Sequence, residues 1–237
     1  MRAQTRHQLK KDPFAAAVYQ QVSWAQENRK TLLAVGIAAA VVLAALISLW
    51  YVNSQRNLTA SQKLGEAQRV LETPLTPPGT PPQPGEQSFS TAADRAKAAL
   101  PEFLNLADHY GWTTSGHIAR YYAGVTYRDM GDTGQAEKML KKSASDGDKD
   151  LASFSRYALA QLYAGQGRDK DAVSAYQELI NNPSDAISKS TAQLYLAQYY
   201  EDKQQPAQAK PLYQQIAKDD PKSQAAQFAQ SRLATLK

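Results

Sequence analysis

Residues 153–183 read SFSRYALAQLYAGQGRDKDAVSAYQELINNP, and this stretch decides the fold because the chain states it three times. HIARYYAGVTYRDMGDTGQAEKMLKKSAS precedes it from His117, and STAQLYLAQYYEDKQQPAQAKPLYQQIAKDDP follows from Ser190. In alignment, the small residues Gly124, Ala160 and Ala197 share one column, and Tyr127, Tyr163 and Tyr200 come three positions later. Gly131, Gly167 and Gln204 mark a turn. Ala136, Ala172 and Ala209 begin a second helix, with Leu140, Tyr176 and Tyr213 four positions on. Each column has a physical role. The small residue lets two helices approach, the tyrosine fills the groove between them, and glycine supplies a left-handed turn residue. Pro183 and Pro221 close their units, since proline cannot continue a helix.

This order of small, aromatic, glycine, alanine and aromatic positions resembles the tetratricopeptide repeat, whose period is about 34 residues. The spacing here is 36 residues from Gly124 to Ala160 and 37 from Ala160 to Ala197. An extra residue or two between units, and Gln204 at the turn, are the departures. The resemblance covers Gly116–Pro221, and residues 224–236 read as a helix capping the last apolar edge. The fold class expected is all-α: one N-terminal transmembrane helix, then an α-solenoid of tetratricopeptide-like helix pairs with a C-terminal capping helix.

The transmembrane expectation comes from residues 31–52, TLLAVGIAAAVVLAALISLWYV, within a run that carries no charge between Lys30 and Arg56. About 20 apolar residues cross a hydrocarbon core of about 30 Å. A buried core helix would keep a polar stripe, and a signal peptide would have a shorter apolar region behind a shorter leader. Trp24, Trp50 and Tyr51 suit the two interfaces. The preceding tail has Arg2, Arg6, Lys10, Lys11, Arg29 and Lys30 against Asp12 and Glu27, a net charge of +4 out of +5 for the whole chain. The positive-inside tendency therefore predicts a cytoplasmic N-terminus. Gly36, Ala40 and Ala44 fall four apart, which allows close approach of a second membrane helix.

Four segments follow. Residues 1–30 form a basic tail in which Phe14, Val18, Val22 and Ala25 share one face of a short amphipathic helix, suited to the membrane surface or to a cytoplasmic partner. Residues 31–52 are the span. Residues 53–115 read as a helical hairpin interrupted by a proline-rich insertion at 73–87, with Pro101 kinking or dividing the second helix. Residues 116–237 hold the repeats and the capping helix.

Chemistry-bearing patterns are sparse. The chain has no cysteine, which removes disulfides, zinc thiolates, thiol catalysis and acylated-cysteine anchoring. HExxH, GxSxG, phosphate-cradling glycine loops and calcium-loop spacing do not occur. His109 and His117 flank a Gly–Trp loop short enough to bring them together near Asp108; packing or capping is the simpler role. Asp146, Asp148 and Asp150 alternate in SDGDKD, read as a solvated inter-repeat loop. The expectation is a chain that is not an enzyme, has no cofactor or metal, and binds neither nucleic acid nor a small-molecule substrate.

The repeat resemblance implies a concave face lined by the first helix of each unit. It places there Ile118, Tyr121, Val125 and Arg128, then Phe154, Tyr157 and Gln161, then Thr191, Leu194 and Gln198. Tyrosines offer contact area, and Arg128, Gln161 and Gln198 offer bonds to a peptide backbone. The lysines and asparagines with which some repeats of this family clamp a terminal carboxylate are not at the matching positions. In overall layout (the tail TRHQLKKDPFAAAVYQQVSWAQENRK, the span, a helical extension, then repeats) the chain resembles the YfgM-like family of bacterial inner-membrane proteins. That resemblance implies a periplasmic scaffold that binds protein or peptide partners at the membrane surface, among them Sec translocon subunits and periplasmic chaperones. A cell-envelope organiser, serving division, peptidoglycan or outer-membrane assembly through the same groove, is the alternative.

Overall fold

The computed structural model describes residues 24, 26, 28–77, 87–219 and 221–236. The amphipathic tail segment with Phe14, Val18, Val22 and Ala25 lies outside the described residues, as do residues 78–86 of the proline-rich stretch. Nine helices are described: α1 (Arg29–Glu72), α2 (Ala92–His109), α3 (Thr114–Asp129), α4 (Thr133–Ala144), α5 (Lys149–Gly165), α6 (Asp169–Asn181), α7 (Lys189–Asp202), α8 (Pro206–Asp219) and α9 (Gln224–Thr235). The chain divides into two compact units, Met1–Gln55 and Arg56–Lys237.

Within the first unit, the helical stretch has a mean hydropathy of 2.8 in its most apolar window, and none of that window is buried. Leu33, Ile37, Leu49 and Trp50 are all exposed. A helix apolar on every side is stable in a lipid or protein interior and unsuited to water. Its Ser48 hydroxyl donates to the Ala44 carbonyl at 2.8 Å, so this polar group is satisfied inside the helix. By length and composition, α1 is a candidate membrane span. Gly36 faces open space, with nothing within 4 Å of where a Cβ would stand.

In the second unit, α1 from Arg56 onward runs antiparallel to α2. Ala60, Leu64 and Ala67 are buried with Ala99, Leu100, Phe103 and Leu106, and Lys63 pairs with Glu102 at 3.0 Å. Thr91 caps α2 by accepting from the Asp94 backbone N–H at 3.0 Å. The helix then runs unbroken through Pro101, which is exposed; the carbonyl it leaves without a donor can turn to water. The proline-rich excursion between the two helices is pinned at its base. Leu75 bridges Phe89, the Thr76 N–H donates to the Phe89 carbonyl at 2.9 Å, and the Arg95 guanidinium donates to the Thr73 carbonyl at 2.8 Å.

The three repeats are the pairs α3/α4, α5/α6 and α7/α8, with α9 against the last. Ala160, Ala197, Ala136, Ala172 and Ala209 are fully buried. A Cβ on Gly124 would lie 2.7 Å from the Leu140 side chain, so only glycine admits leucine in the facing column of the first unit. In the two later units alanine occupies the first-helix position, and Tyr176 and Tyr213 occupy the second.

The turns are superposable in their bonding. Gly131 and Gly167 have φ of 81° and 70°, and Gln204 has φ of 57°. At each turn the next residue's N–H reaches back five residues: Asp132 to Tyr127 at 2.9 Å, Arg168 to Tyr163 at 2.9 Å, Gln205 to Tyr200 at 2.8 Å. This is the Schellman closure, in which a left-handed residue lets the chain satisfy its final helical carbonyls. Gln204 adopts that conformation despite its Cβ. Replacing Gln204 with Gly is expected to raise the unfolding free energy by about 0.5–1 kcal/mol, whereas Gly131→Gln lowers it by about 1 kcal/mol. Denaturant titration with an unchanged slope measures both; a destabilised Gln204→Gly would contradict the turn assignment.

Candidate functional site

The first helices α3, α5 and α7 lie side by side and touch through aromatic rings. Tyr121 of α3 approaches Phe154 of α5, with centroids 6.3 Å apart. Tyr157 of α5 stacks on Tyr195 of α7 at 4.3 Å and 29°. Arg128 donates to the Gln161 side-chain oxygen at 3.1 Å and to Asp129 at 3.0 Å. Between α5 and α7 the surface opens into a concavity of about 270 Å³ lined by Tyr157, Gln161, Tyr195, Gln198 and Asp202, with Tyr176 and Tyr199 beneath.

Two of the phenols here, Tyr157 and Tyr121, are held above the ordinary tyrosine value. Burial, then the adjacent Tyr195, pushes Tyr157 up; burial, then Tyr122, does the same to Tyr121. Neutral hydroxyls can both donate and accept. With the amides of Gln161 and Gln198, they make a surface of aromatic area edged by hydrogen-bonding groups, with the charged Asp202 and Arg128 at its margins.

The ten residues expected to line a groove divide by environment. Tyr121, Phe154, Tyr157, Gln161 and Gln198 sit on the shared surface of the first helices, and Arg128 joins Gln161 at its edge. Ile118 and Val125 pack partly against the cores beneath, and Leu194 packs against the last core with Tyr213 and Ile216. Thr191 is engaged at the start of α7, where its hydroxyl meets Ser188 at 2.9 Å. Tyr195 was missed because it falls one position after the column of Tyr121 and Tyr157. Leu194 occupies that column and turns inward, so its neighbour supplies the ring. Tyr122 in the same offset position was the available signal.

A second depression of about 340 Å³ lies among α4, α5 and α6, lined by Lys141, Arg156, Tyr163, Asp171 and Glu178. Its charged groups are already engaged: Arg156 pairs with Glu178 at 3.6 Å and donates to the Ala144 carbonyl at 3.3 Å. The surface between α5 and α7 instead presents aromatic faces beside side-chain amides, of which Gln161 already accepts from Arg128.

The SDGDKD run is largely exposed, as expected of a solvated loop, and each of its three carboxylates is nonetheless engaged. Asp146 pairs at 2.6 Å with Arg120, which is buried. Asp148 caps α5 by accepting from the Leu151 N–H at 2.9 Å, and Asp150 accepts from the Ala186 N–H at 2.9 Å. His117 faces Asp146 at 3.8 Å, while the His109 ring bonds the Asn105 carbonyl at 3.1 Å, so each imidazole is held by a different neighbour. Among the described residues, no group of three or more His, Asp or Glu side chains is placed to hold a metal ion.

Comparison with known proteins agrees with this geometry. The tetratricopeptide repeat family profile matches residues 154–184 and 191–223, which are the second and third helix pairs. A crystal structure of nearly identical TPR-like repeats, assigned to a kinesin light chain of Podosopora anserina, aligns with a TM-score of 0.52 at 13% identity, over 76% of this chain and 85% of that one. That likeness is one of fold. A search of curated proteins returns no match. Two of the helix pairs thus match the tetratricopeptide repeat within a TPR-like solenoid fold, an architecture that serves as a protein–protein interaction scaffold.

The repeats are joined by ion pairs as well as by packing. Glu137 of α4 receives Arg168 at 2.6 Å, Lys141 at 2.7 Å and the Tyr163 hydroxyl at 3.1 Å. Arg168 first, then Lys141, hold this carboxyl down at about 2, against an ordinary value of 4.5. A carboxylate lowered on folding adds stability above its unfolded pKa and loses it as pH falls. Acidification from about pH 4.5 toward pH 2 is therefore expected to cost the domain about 1 kcal/mol through Glu137, a figure reduced by the solvent around Arg168. Glu137→Gln should be less stable at neutral pH and show a flatter acid limb in thermal melts across that range. An acid limb identical to the parent's would exclude the role.

Proposed function

We propose that this chain is a membrane-anchored adaptor of the bacterial inner membrane. Its basic tail faces the cytoplasm, and its repeat domain binds extended protein segments on the periplasmic side. The tail's net charge of +4 supports the orientation. The layout of tail, apolar helix and repeats supports a role beside the Sec translocon and periplasmic chaperones, where unfolded segments emerge close to the bilayer.

The observation that carries the reading is the half-buried Tyr157–Tyr195 stack with Gln161 and Gln198 at its edge. Aromatic faces give a peptide area to cover at little cost in side-chain entropy. The flanking amides can pair with its backbone N–H and C=O groups, whatever its side chains are. A surface built this way favours extended chains over one fixed sequence. Within the first unit, the small-residue face of Gly36, Ala40 and Ala44 offers a second membrane helix a close approach.

Photo-crosslinkers placed at Tyr157 and at Gln198 in cells are expected to capture translocon subunits or periplasmic folding factors. Truncating both Tyr157 and Tyr195 to Ala should reduce capture from Gln198 by roughly tenfold, the loss that follows from removing a paired aromatic anchor. Capture of division or peptidoglycan proteins instead would assign the groove to envelope organisation. An N-terminus accessible from outside the cytoplasm would overturn the orientation and both assignments with it.

A further inference from the structure

The corner between α2 and α3 holds a tryptophan out in solvent. Trp112 is 55% exposed, unusual for a residue type that is highly buried on average. The backbone around it is rigidly built. The Thr113 hydroxyl donates to the Tyr110 carbonyl at 2.8 Å and accepts from the Gly116 N–H at 3.0 Å. A Cβ on Gly111 would stand 2.6 Å from the Ala107 carbonyl oxygen, and one on Gly116 would stand 2.0 Å from that of Tyr110. The chain thus fixes a closely packed corner whose largest side chain buries little within the protein.

Arg56 indicates what covers it. Its guanidinium lies 5.4 Å from the centre of the Trp112 ring, and Tyr110 adds a second ring at 6.4 Å. Arg56 belongs to the same continuous helix as the apolar run and follows Val52 by four residues, about 6 Å of helical rise. The headgroup layer on each side of a hydrocarbon core is about 5–8 Å thick. If residues 31–52 cross the bilayer, Arg56 falls at the depth of the lipid phosphates, and Trp112 is held against it. Guanidinium binds phosphate through charge-assisted bonds, and indole has an apolar body with one polar N–H, the combination enriched at membrane interfaces.

We propose that Trp112 and Arg56 together form a phospholipid contact that seats the α2–α3 corner in the headgroup layer. The proposal rests on residues 31–52 being a span, and the test separates the two. The full chain is reconstituted in phosphatidylcholine–phosphatidylglycerol vesicles whose acyl chains carry bromine either near the headgroup or near the chain terminus. With Trp24 and Trp50 changed to Phe, Trp112 is the sole emitter. Shallow bromine is expected to lower its emission roughly twofold relative to bromine-free vesicles, and deep bromine much less, as befits an interfacial indole. With Trp24 and Trp112 changed to Phe instead, Trp50 reports on the span. Trp50 quenched and Trp112 unquenched would overturn the lipid contact and leave the span intact. Neither quenched would overturn both, and Trp112 quenched more by deep than by shallow bromine would contradict an interfacial seat. Arg56→Gln in the Trp112-only chain should reduce the shallow quenching; no change would remove Arg56 from the contact.

Discussion

The second helix of each repeat can lie against the first only as closely as one column of side chains allows. At Gly124 a methyl group would already stand 2.7 Å from Leu140, and at Ala160 and Ala197 the methyl present has no exposed surface at all. That close approach sets the tilt of the pair and buries Ala136, Ala172 and Ala209 opposite. It also requires a turn compact enough to reverse the chain at once, which the left-handed residues at 131, 167 and 204 provide. With pair geometry and turn geometry repeated, adjacent units stack in one sense. Their first helices then share a face, and the aromatic contacts from Tyr121 to Phe154 and from Tyr157 to Tyr195 follow from that stacking.

Packing alone would allow neighbouring units to slide, because alanine-rich faces offer few distinguishing shapes. Ion pairs link one unit to the next. Glu137 meets Arg168 at 2.6 Å, Asp169 meets Lys203 at 2.8 Å, and Glu201 meets Arg232 of the capping helix at 2.6 Å. A phenol joins two of them: Tyr163 donates to Glu137 at 3.1 Å and Tyr199 to Asp169 at 2.7 Å. Exposed pairs add little stability individually, but each of these exists in only one register. In an architecture whose units touch only their neighbours, register at each junction is what makes the surface of the first helices continuous.

The helix pairs were legible in the sequence because their constraints fall at fixed intervals. Small residues, turn glycines and second-helix alanines are local demands that repeat every 36 or 37 residues. Gln204 was recognisable as a turn residue by position alone, although its side chain gives no such sign. The binding face was only partly legible. Leu194 and Tyr195 exchange roles in the third unit, and a one-position shift on a helix rotates a side chain by about 100°. The Arg120–Asp146 pair was not legible, because a buried charge is recognisable only once its partner is found 26 positions away. SDGDKD has the composition of a solvated loop, yet each of its three carboxylates answers a different need of the surrounding backbone or side chains.

The bridge between Leu75 and Phe89 has a consequence for how this protein can change over time. The two stretches of chain leaving α1 and entering α2 are tied to each other at the base of the proline-rich insertion, just past Pro74, and Arg95 ties the same base to α2. The hairpin's register is therefore set below the excursion and takes no instruction from it. Lengthening a surface loop costs only a slowly growing entropy, so residues could be gained or lost above the bridge with little effect on the helices beneath. That makes this position a permissive splice point, where new sequence could be tried while the anchor and the repeats keep their geometry.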